Sequence, residues 1–261
     1  MSEIPDRATP AERQRQIVDA VIAGGALRID DIAERMKVSP VTIYRDVQVL
    51  EESGVVERAK GHVRLRASST VELPPQIRRT RAPEEKSVVT AAAMHLVNPG
   101  DAILLDDSST LLPMLPLLKD ITPLTIITNS LTVADSIRDW GDHQLVLIGG
   151  RYRQWAHAFY GTLAVSQVKE LRADTCFMSD AAVWGGSIYN PMDYVIDMKR
   201  AMLEQATQRT LLIDSSKFAR HAWQKTAPLS VFDTIIVDQA VTEAQHEILL
   251  DSGAEVIVAR G

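Results

Sequence analysis

Residues 38–54 read Val-Ser-Pro-Val-Thr-Ile-Tyr-Arg-Asp-Val-Gln-Val-Leu-Glu-Glu-Ser-Gly. Ser39 is an N-cap candidate, since its hydroxyl can accept from a free N–H of a first helical turn. Pro40 follows at the first helical position, where a missing N–H breaks no bond. Ile43, Val47 and Leu50 recur at helical spacing, and Gly54 closes the run. The spacing predicts a helix from Val41 to about Ser53, with Thr42, Tyr44, Arg45 and Gln48 on the face away from Ile43, Val47 and Leu50.

Upstream, residues 11–24 predict an amphipathic helix with Ile17 and Val21, flanked by Val18 and Ile22, on its apolar side; Gly24-Gly25 stops it. Ile29 to Met36 predicts a second helix, facing inward through Ile32, Ala33 and Met36, and Lys37-Val38 turns the chain into the third. Downstream, Val55 to Arg58, a turn at Ala59-Lys60-Gly61 and His62 to Arg66 predict a basic two-stranded hairpin. Three short helices and a basic hairpin are the pattern of a winged helix-turn-helix, although three-helix units also serve as protein-interaction modules. In the first case the third helix enters the major groove of double-stranded DNA, with Ser39, Thr42, Tyr44, Arg45 and Gln48 at the reading face. Arg45 then meets a guanine or a phosphate, and Gln48 an adenine. Arg58, Lys60 and Arg64 on the hairpin hold the phosphate backbone.

The formal net charge of −6 looks wrong for a nucleic-acid binder, but the charge is uneven. Residues 1–81 hold 14 Lys and Arg against 12 Asp and Glu, whereas the remainder holds 14 against 22. Between Val55 and Arg81 seven basic residues face only Glu57 and Glu72. An acidic body with a basic N-terminal segment suits DNA contacts confined to one module. With 46% hydrophobic and 24% charged residues, the composition is that of a globular chain. No apolar run approaches the roughly 18 residues of a membrane helix. Met1 to Pro10 has no apolar core of a secretory signal, so a cytoplasmic location is expected. A single cysteine, Cys176, and six scattered histidines show no ligand spacing, and neither metal nor cofactor is expected.

Ala67 to Glu85, with Ser68-Ser69-Thr70, Pro74-Pro75 and Pro83, lacks periodicity and predicts a connector at 67–83 between domains 1–66 and 84–261. Beyond a helix from Glu85 to Val97, short apolar runs recur at Ala102–Leu105, Leu124–Thr128, Gln144–Ile148, Thr175–Met178, Thr210–Ile213, Thr234–Val237 and Glu255–Val258. Helical stretches such as Leu131–Trp140, Ala164–Leu171, Asp197–Ala206 and Glu243–Leu250 separate most of them. This alternation predicts an α/β domain with a mainly parallel sheet covered on both faces.

Ligands of such sheets bind at the carboxyl ends of the strands. Small polar residues gather there: Asp106 to Thr110, Thr128-Asn129-Ser130, Gly149-Gly150, Ser179-Asp180 and Asp214 to Lys217. Any one of these fits a simple helix cap. Five at successive strand ends point to a phosphate or polyol site, with Lys217 supplying positive charge.

Two groups of motifs carry a family resemblance. Val38-Ser39, Thr42-Ile43-Tyr44-Arg45-Asp46-Val47, Leu50-Glu51 and Gly54 resemble the DNA-binding signature of the DeoR family of transcription regulators. Asp106-Asp107-Ser108-Ser109-Thr110, Thr128-Asn129-Ser130, Gly149-Gly150 with Gly161, Met198-Lys199-Arg200 and Asp214-Ser215-Ser216-Lys217-Phe218 resemble its effector domain, which is similar in fold to ribose-5-phosphate isomerase. The resemblance implies a repressor of carbohydrate genes, released by a phosphorylated sugar or polyol and assembled as a homo-oligomer, dimer or tetramer. It makes Ser108, Ser109, Thr110 and Lys217 the phosphate side of the effector site, and Asp106, Asn129 and Asp180 the hydroxyl side, with Gly149 and Gly150 beside them. An activator responding to another metabolite is the alternative within the same layout.

The sequence departs from the family where Tyr44 replaces the first of two arginines, in the Lys60-Gly61-His62 end of the hairpin, and from Ser179 to Asn190. Trp184 and Tyr189, with Trp155, His157 and Tyr160, suggest either stacking walls for a polyol ring or a lid or oligomer contact. An isomerase would need a carboxylate base and a partner for the enolate, and Asp106, Asp107, Asp180 and Lys217 are the available groups. The Lys-Gly-rich loop expected of that enzyme is absent, with Met198-Lys199-Arg200 in its place, so no enzymatic activity is expected.

Overall fold

The computed structural model of the chain describes residues 9–52, 56–65 and 75–261. The predicted stop at Gly54, Val55, Arg66, residues 67–74 and all but the last two residues of the Met1–Pro10 segment lie outside the described residues. The chain forms two compact units that divide between Arg78 and Arg79.

In the first unit, α1 (Pro10–Gly24) starts from a capping box in which the Thr9 hydroxyl accepts from the Glu12 N–H and the Glu12 carboxylate accepts from the Thr9 N–H. After β1 (Leu27–Arg28), α2 (Ile29–Met36) and α3 (Pro40–Glu52) follow, and then β2 (Val56–Ala59) and β3 (His62–Leu65). The Ser39 hydroxyl accepts from the Thr42 N–H at 3.2 Å, the cap its sequence called for. At the hairpin tip Lys60 and Gly61 have φ of 51° and 78°, the pair of positive values a two-residue turn of the right twist demands. The sheet order is β1-β3-β2, all antiparallel. Strand β1 was not legible, since two residues are too short to show alternation. Ile17, Val18, Val21, Ile32, Ile43, Val47, Val56 and Val63 form the shared core.

Part of the connector is helical, contrary to expectation: α4 (Pro75–Thr80) begins at Pro75, the one place in a helix where proline is tolerated. Pro83 likewise opens α5 (Pro83–Ala92), extended by a 3₁₀ turn to Leu96. Thereafter come β4 (Ala102–Leu105), α6 (Leu115–Leu118), β5 (Thr125–Thr128), α7 (Leu131–Ile137), β6 (Gln144–Leu147), β7 (Arg151–Arg153), β8 (Ala158–Tyr160), α8 (Thr162–Lys169), β9 (Ala173–Met178), β10 (Ala182–Trp184), β11 (Ser187–Asn190), α9 (Asp193–Gln205), β12 (Ala206–Ile213), β13 (Gln224–Pro228), β14 (Thr234–Asp238), α10 (Glu243–Leu250) and β15 (Glu255–Ala259). All seven predicted strands are present, joined in one parallel sheet of order β15-β14-β12-β9-β4-β5-β6.

Alternate residues of each strand feed opposite faces. Ile103, Leu105, Phe177, Leu212 and Ile236 pack with Val89 of α5 and Val133 of α7. Leu104, Cys176, Met178, Leu211 and Ile235 pack with Val168 of α8, Met198 of α9 and Leu249 of α10. The chain runs outward from β4 through β5 to β6, then returns to β9 beside β4 and runs out the other way. The order therefore reverses between β4 and β9, at whose carboxyl ends sheets of this kind place their ligand crevice. The antiparallel pair β7–β8 and the small sheet β10-β11-β13 lie outside the predicted scheme. Their strands are three to five residues long, and β11 pairs with the distant β13, which leaves no periodic trace in the sequence.

Candidate functional site

Asp106 follows β4 and Ser179-Asp180 follow β9, so both sides of the crevice are polar and buried. The Lys199 ammonium of α9 reaches in and donates to Asp106 Oδ2, to the Ser179 carbonyl at 2.6 Å and to Ser108 Oγ at 3.4 Å. Asp106 also accepts from the Ser108 N–H and hydroxyl, each at 2.9 Å, and from the Ser179 N–H at 3.4 Å. Both its oxygens are thus occupied inside the protein. Asp106 holds Lys199 in place, a duty the sequence did not suggest. Burial alone would strip the proton from Lys199, but the carboxylates of Asp106, Asp180 and Asp107 outweigh it and keep the ammonium charged. The sequence placed this lysine in a family motif but gave it no role at the site. Its signal was a charge on the inward row of α9, four residues after Val195 and three before Met202, both buried.

A second lysine arrives from the opposite face of the sheet. Lys86 of α5 is buried and donates to Ser109 Oγ at 3.2 Å. It also acts electrostatically on Asp214, which follows β12, and so links the β4 and β12 loops. Lys217, the cation expected from sequence, lies buried in the 3₁₀ turn Ser215–Ala219. Against the effect of burial, Lys217, the Ser216 hydroxyl and Arg220 hold the Asp214 carboxyl below its ordinary range. Burial pushes the Asp180 carboxyl up to about 6, although Lys199 and a 2.7 Å bond from Asn190 Nδ2 favour its charged form. Among the described residues, buried oxygens at the strand ends without a hydrogen-bond partner include Thr110 Oγ1, Asn129 Oδ1, Ser179 Oγ and Asp214 Oδ2. The Asn129 amide is anchored by donating to the Phe159 carbonyl at 3.0 Å.

Other expected site residues have structural duties. Ser130 caps α7 by accepting from the Val133 N–H. The Gly149 N–H donates to Gln167 Oε1 at 3.1 Å. Gly150, at φ +145°, brings β6 so close to α8 that a Cβ would lie 2.8 Å from the Tyr160 carbonyl and 2.9 Å from Ala164 Cβ. The expected wall of five aromatics divides. Tyr160 is buried and Trp155 donates to the Tyr194 hydroxyl at 2.9 Å, so both serve packing around Tyr194. His157 stacks edge-on with Tyr152. Only Trp184, 69% exposed and edge-on to Tyr189, presents an open ring.

On α3, Tyr44, Arg45 and Gln48 are exposed as expected, whereas Asp46 is buried and pins α3 to α1 through Arg13 at 2.8 Å. Thr42 is half-buried and its hydroxyl bonds to that of Ser39 at 2.8 Å, so the pair closes the helix start. The Gln48 amide donates to Glu52 at 2.9 Å. Two of the three hairpin cations carry partners: Arg58 pairs with Glu51 and Arg64 with Glu57. Lys60 stands exposed at the tip.

Residues 13–69 match the DeoR-like helix-turn-helix domain and residues 81–239 the DeoR C terminal sensor domain. A winged helix that reads DNA, joined to a sensor domain, defines a DNA-binding transcription regulator and not an enzyme. The chain belongs to the DeoR family. It is 30% identical to the uncharacterized HTH-type transcriptional regulator YgbI of Escherichia coli over 96% of this chain and 98% of that one. It is 30% identical to the lactose phosphotransferase system repressor of Lactococcus lactis, over 90% and 92% of the two chains. With the glycerol-3-phosphate regulon repressor of Escherichia coli it shares 26% identity, over 92% and 95%. Ribose 5-phosphate isomerase A of Methanocaldococcus jannaschii overlays 52% of this chain and 54% of its own at 17% identity and a TM-score of 0.39. Among the described residues no helix is long and apolar enough to cross a membrane, and no cluster of metal-ligating side chains occurs.

Proposed function

We propose that this regulator represses genes of carbohydrate use and that a phosphorylated sugar or polyol, bound at the carboxyl ends of the strands, releases it from its operator. The observation that carries the reading is the convergence of buried Lys86, Lys199 and Lys217 on loops where the Thr110 hydroxyl and Asn129 carbonyl lack partners among the described residues. Buried polar atoms without partners are rare in a finished core, and buried cations favour an anionic ligand. In this reading Ser108, Ser109, Thr110 and Lys217 meet the phosphate, Asn129 and Asp180 meet the hydroxyls, and Asp106 aligns Lys199. The relatives that carry functional names act as repressors in lactose and glycerol-3-phosphate systems, which supports both the sign of regulation and the effector class.

The chain works as a homo-oligomer whose paired α3 helices meet repeated half-sites. Residues 1–66 read DNA, 67–83 connect and 84–261 sense. Release requires that the effector bind the DNA-free state more tightly than the DNA-bound one. The test pairs thermal unfolding with gel-shift titration of full-length protein on a duplex it selects from a random pool. Glucose 6-phosphate, glycerol 3-phosphate and their unphosphorylated counterparts are the probes. A phosphorylated probe should raise the melting temperature and displace the duplex, and Lys217→Ala should lose both effects while still binding DNA. A probe that stabilises the protein yet leaves the duplex bound overturns release by effector.

A further inference from the structure

We propose that Val41 is a base-reading residue, the apolar head of the reading row, and that it recognises the C5-methyl group of a thymine in each half-site. Val41, Arg45 and Gln48 are spaced four and three apart, so they form one row along α3, directly opposite Ile43, Val47 and Leu50 in the core. Val41 leads that row from the first turn, the part of a recognition helix that meets base edges. It is 61% exposed. Among the first-unit residues whose side chains are described, the exposed large apolar ones are Val41, Tyr44 and Val49, all of them on α3.

A scattered exposed valine needs no explanation. Three such apolar residues on the one helix that enters a groove do, because DNA docking would bury them. In the major groove the thymine methyl is the apolar group a β-branched side chain can cover. Thr42, the neighbour that sequence alone put at the interface, is turned aside and bonded to Ser39. Arg45 and Gln48 then read polar edges further along the same row.

The experiment replaces thymines one at a time by deoxyuridine in a duplex selected by the full-length protein from a random pool, which removes the methyl group and leaves every hydrogen bond. One thymine per half-site should cost about fourfold in affinity when replaced, the worth of a single buried methyl. Val41→Ala should bind the thymine and uracil duplexes equally, with thermal unfolding unchanged because the side chain is outside the core. Arg45→Ala should keep the uracil penalty. The inference is overturned if no thymine replacement matters, if the selected half-sites lack thymine, or if Val41→Ala retains the full penalty.

Discussion

The two units hold their functional side chains in opposite ways. On α3 and the hairpin, Tyr44, Arg45, Gln48, Arg58, Lys60 and Arg64 are exposed, and their ion pairs, such as Arg58 with Glu51, lie at the surface. At the carboxyl ends of β4 and β9, Asp106 and Lys199 are buried and paired with each other, and Asp180 is buried and accepts from Asn190 and the Ala181 N–H. A surface that meets a large, hydrated polyanion can leave its cations in water until the partner arrives. A site that takes a small anion, as proposed for the strand ends, must hold its charges away from water beforehand, and the fold must pay for that with compensating pairs. Substitutions in the crevice should therefore act mainly on stability, and those on α3 mainly on DNA binding.

The sharpest break of this contrast is Lys199→Met. It leaves Asp106 buried without its cation, which should destabilise the second unit by about 3–5 kcal/mol. Adding Asp106→Asn should recover part of the loss. Urea unfolding of the full chain followed by circular dichroism measures both, and a loss under about 1 kcal/mol for the single variant would contradict a paired, buried Lys199.

Asp180 tests the same crevice through pH. Its folded pKa of about 6 exceeds the ordinary 3.8, so between these values the folded chain binds more protons than the unfolded one. Stability from this residue is therefore lost as pH rises through that window, and the loss is complete above about 6. Asp180→Asn removes the penalty while the amide oxygen can still accept from Asn190 and the Ala181 N–H. The variant should be more stable than its parent at pH 7.5 by at most about 3 kcal/mol, with the gap closing toward pH 4. A gap independent of pH would show that Asp180 is already ionised in the folded state.

These two residues also mark where the sequence stopped being readable. The winged helix was legible almost to the residue, because caps, turn glycines and helical spacing are local signals. The seven strands were legible as apolar runs, and so were the small polar residues at their carboxyl ends, among them Ser108, Ser109 and Thr110. Lys199 and Lys86 were not, because they lie 93 and 23 residues from their partners Asp106 and Ser109 and meet them only through the topology of the sheet. The aromatic cluster failed for the same reason: nothing local says that Tyr160 turns inward against Tyr194.

Gly149 and Gly150 differ sharply in how much room the backbone leaves them. A Cβ at Gly149 meets nothing closer than 3.7 Å, whereas one at Gly150 collides with the Tyr160 backbone. Gly150→Ala should cost roughly 1–3 kcal/mol through forced backbone movement. Gly149→Ala should leave thermal unfolding nearly unchanged. Equal losses would mean that the β6–α8 approach is not the constraint.

The smallest change in stability should come from the other unit, where the comparison predicts an effect on binding instead. The Arg58 guanidinium bonds to Glu51 at 2.6 Å, and that bond holds the Glu51 carboxyl below its ordinary range, so the pair is ionised at neutral pH. Both partners are about one-third exposed, and pairs of this kind add little to stability. Glu51→Gln should shift the melting temperature by less than about 2 °C. The same change frees Arg58 for phosphate and removes a negative charge from the reading helix. Affinity for the selected duplex should rise by roughly two- to fivefold at 100 mM salt and by less at higher salt. If binding instead weakens with stability intact, Glu51 is needed to aim Arg58 at the backbone, and the surface pair is a preset part of the reader and not a resting state that DNA displaces.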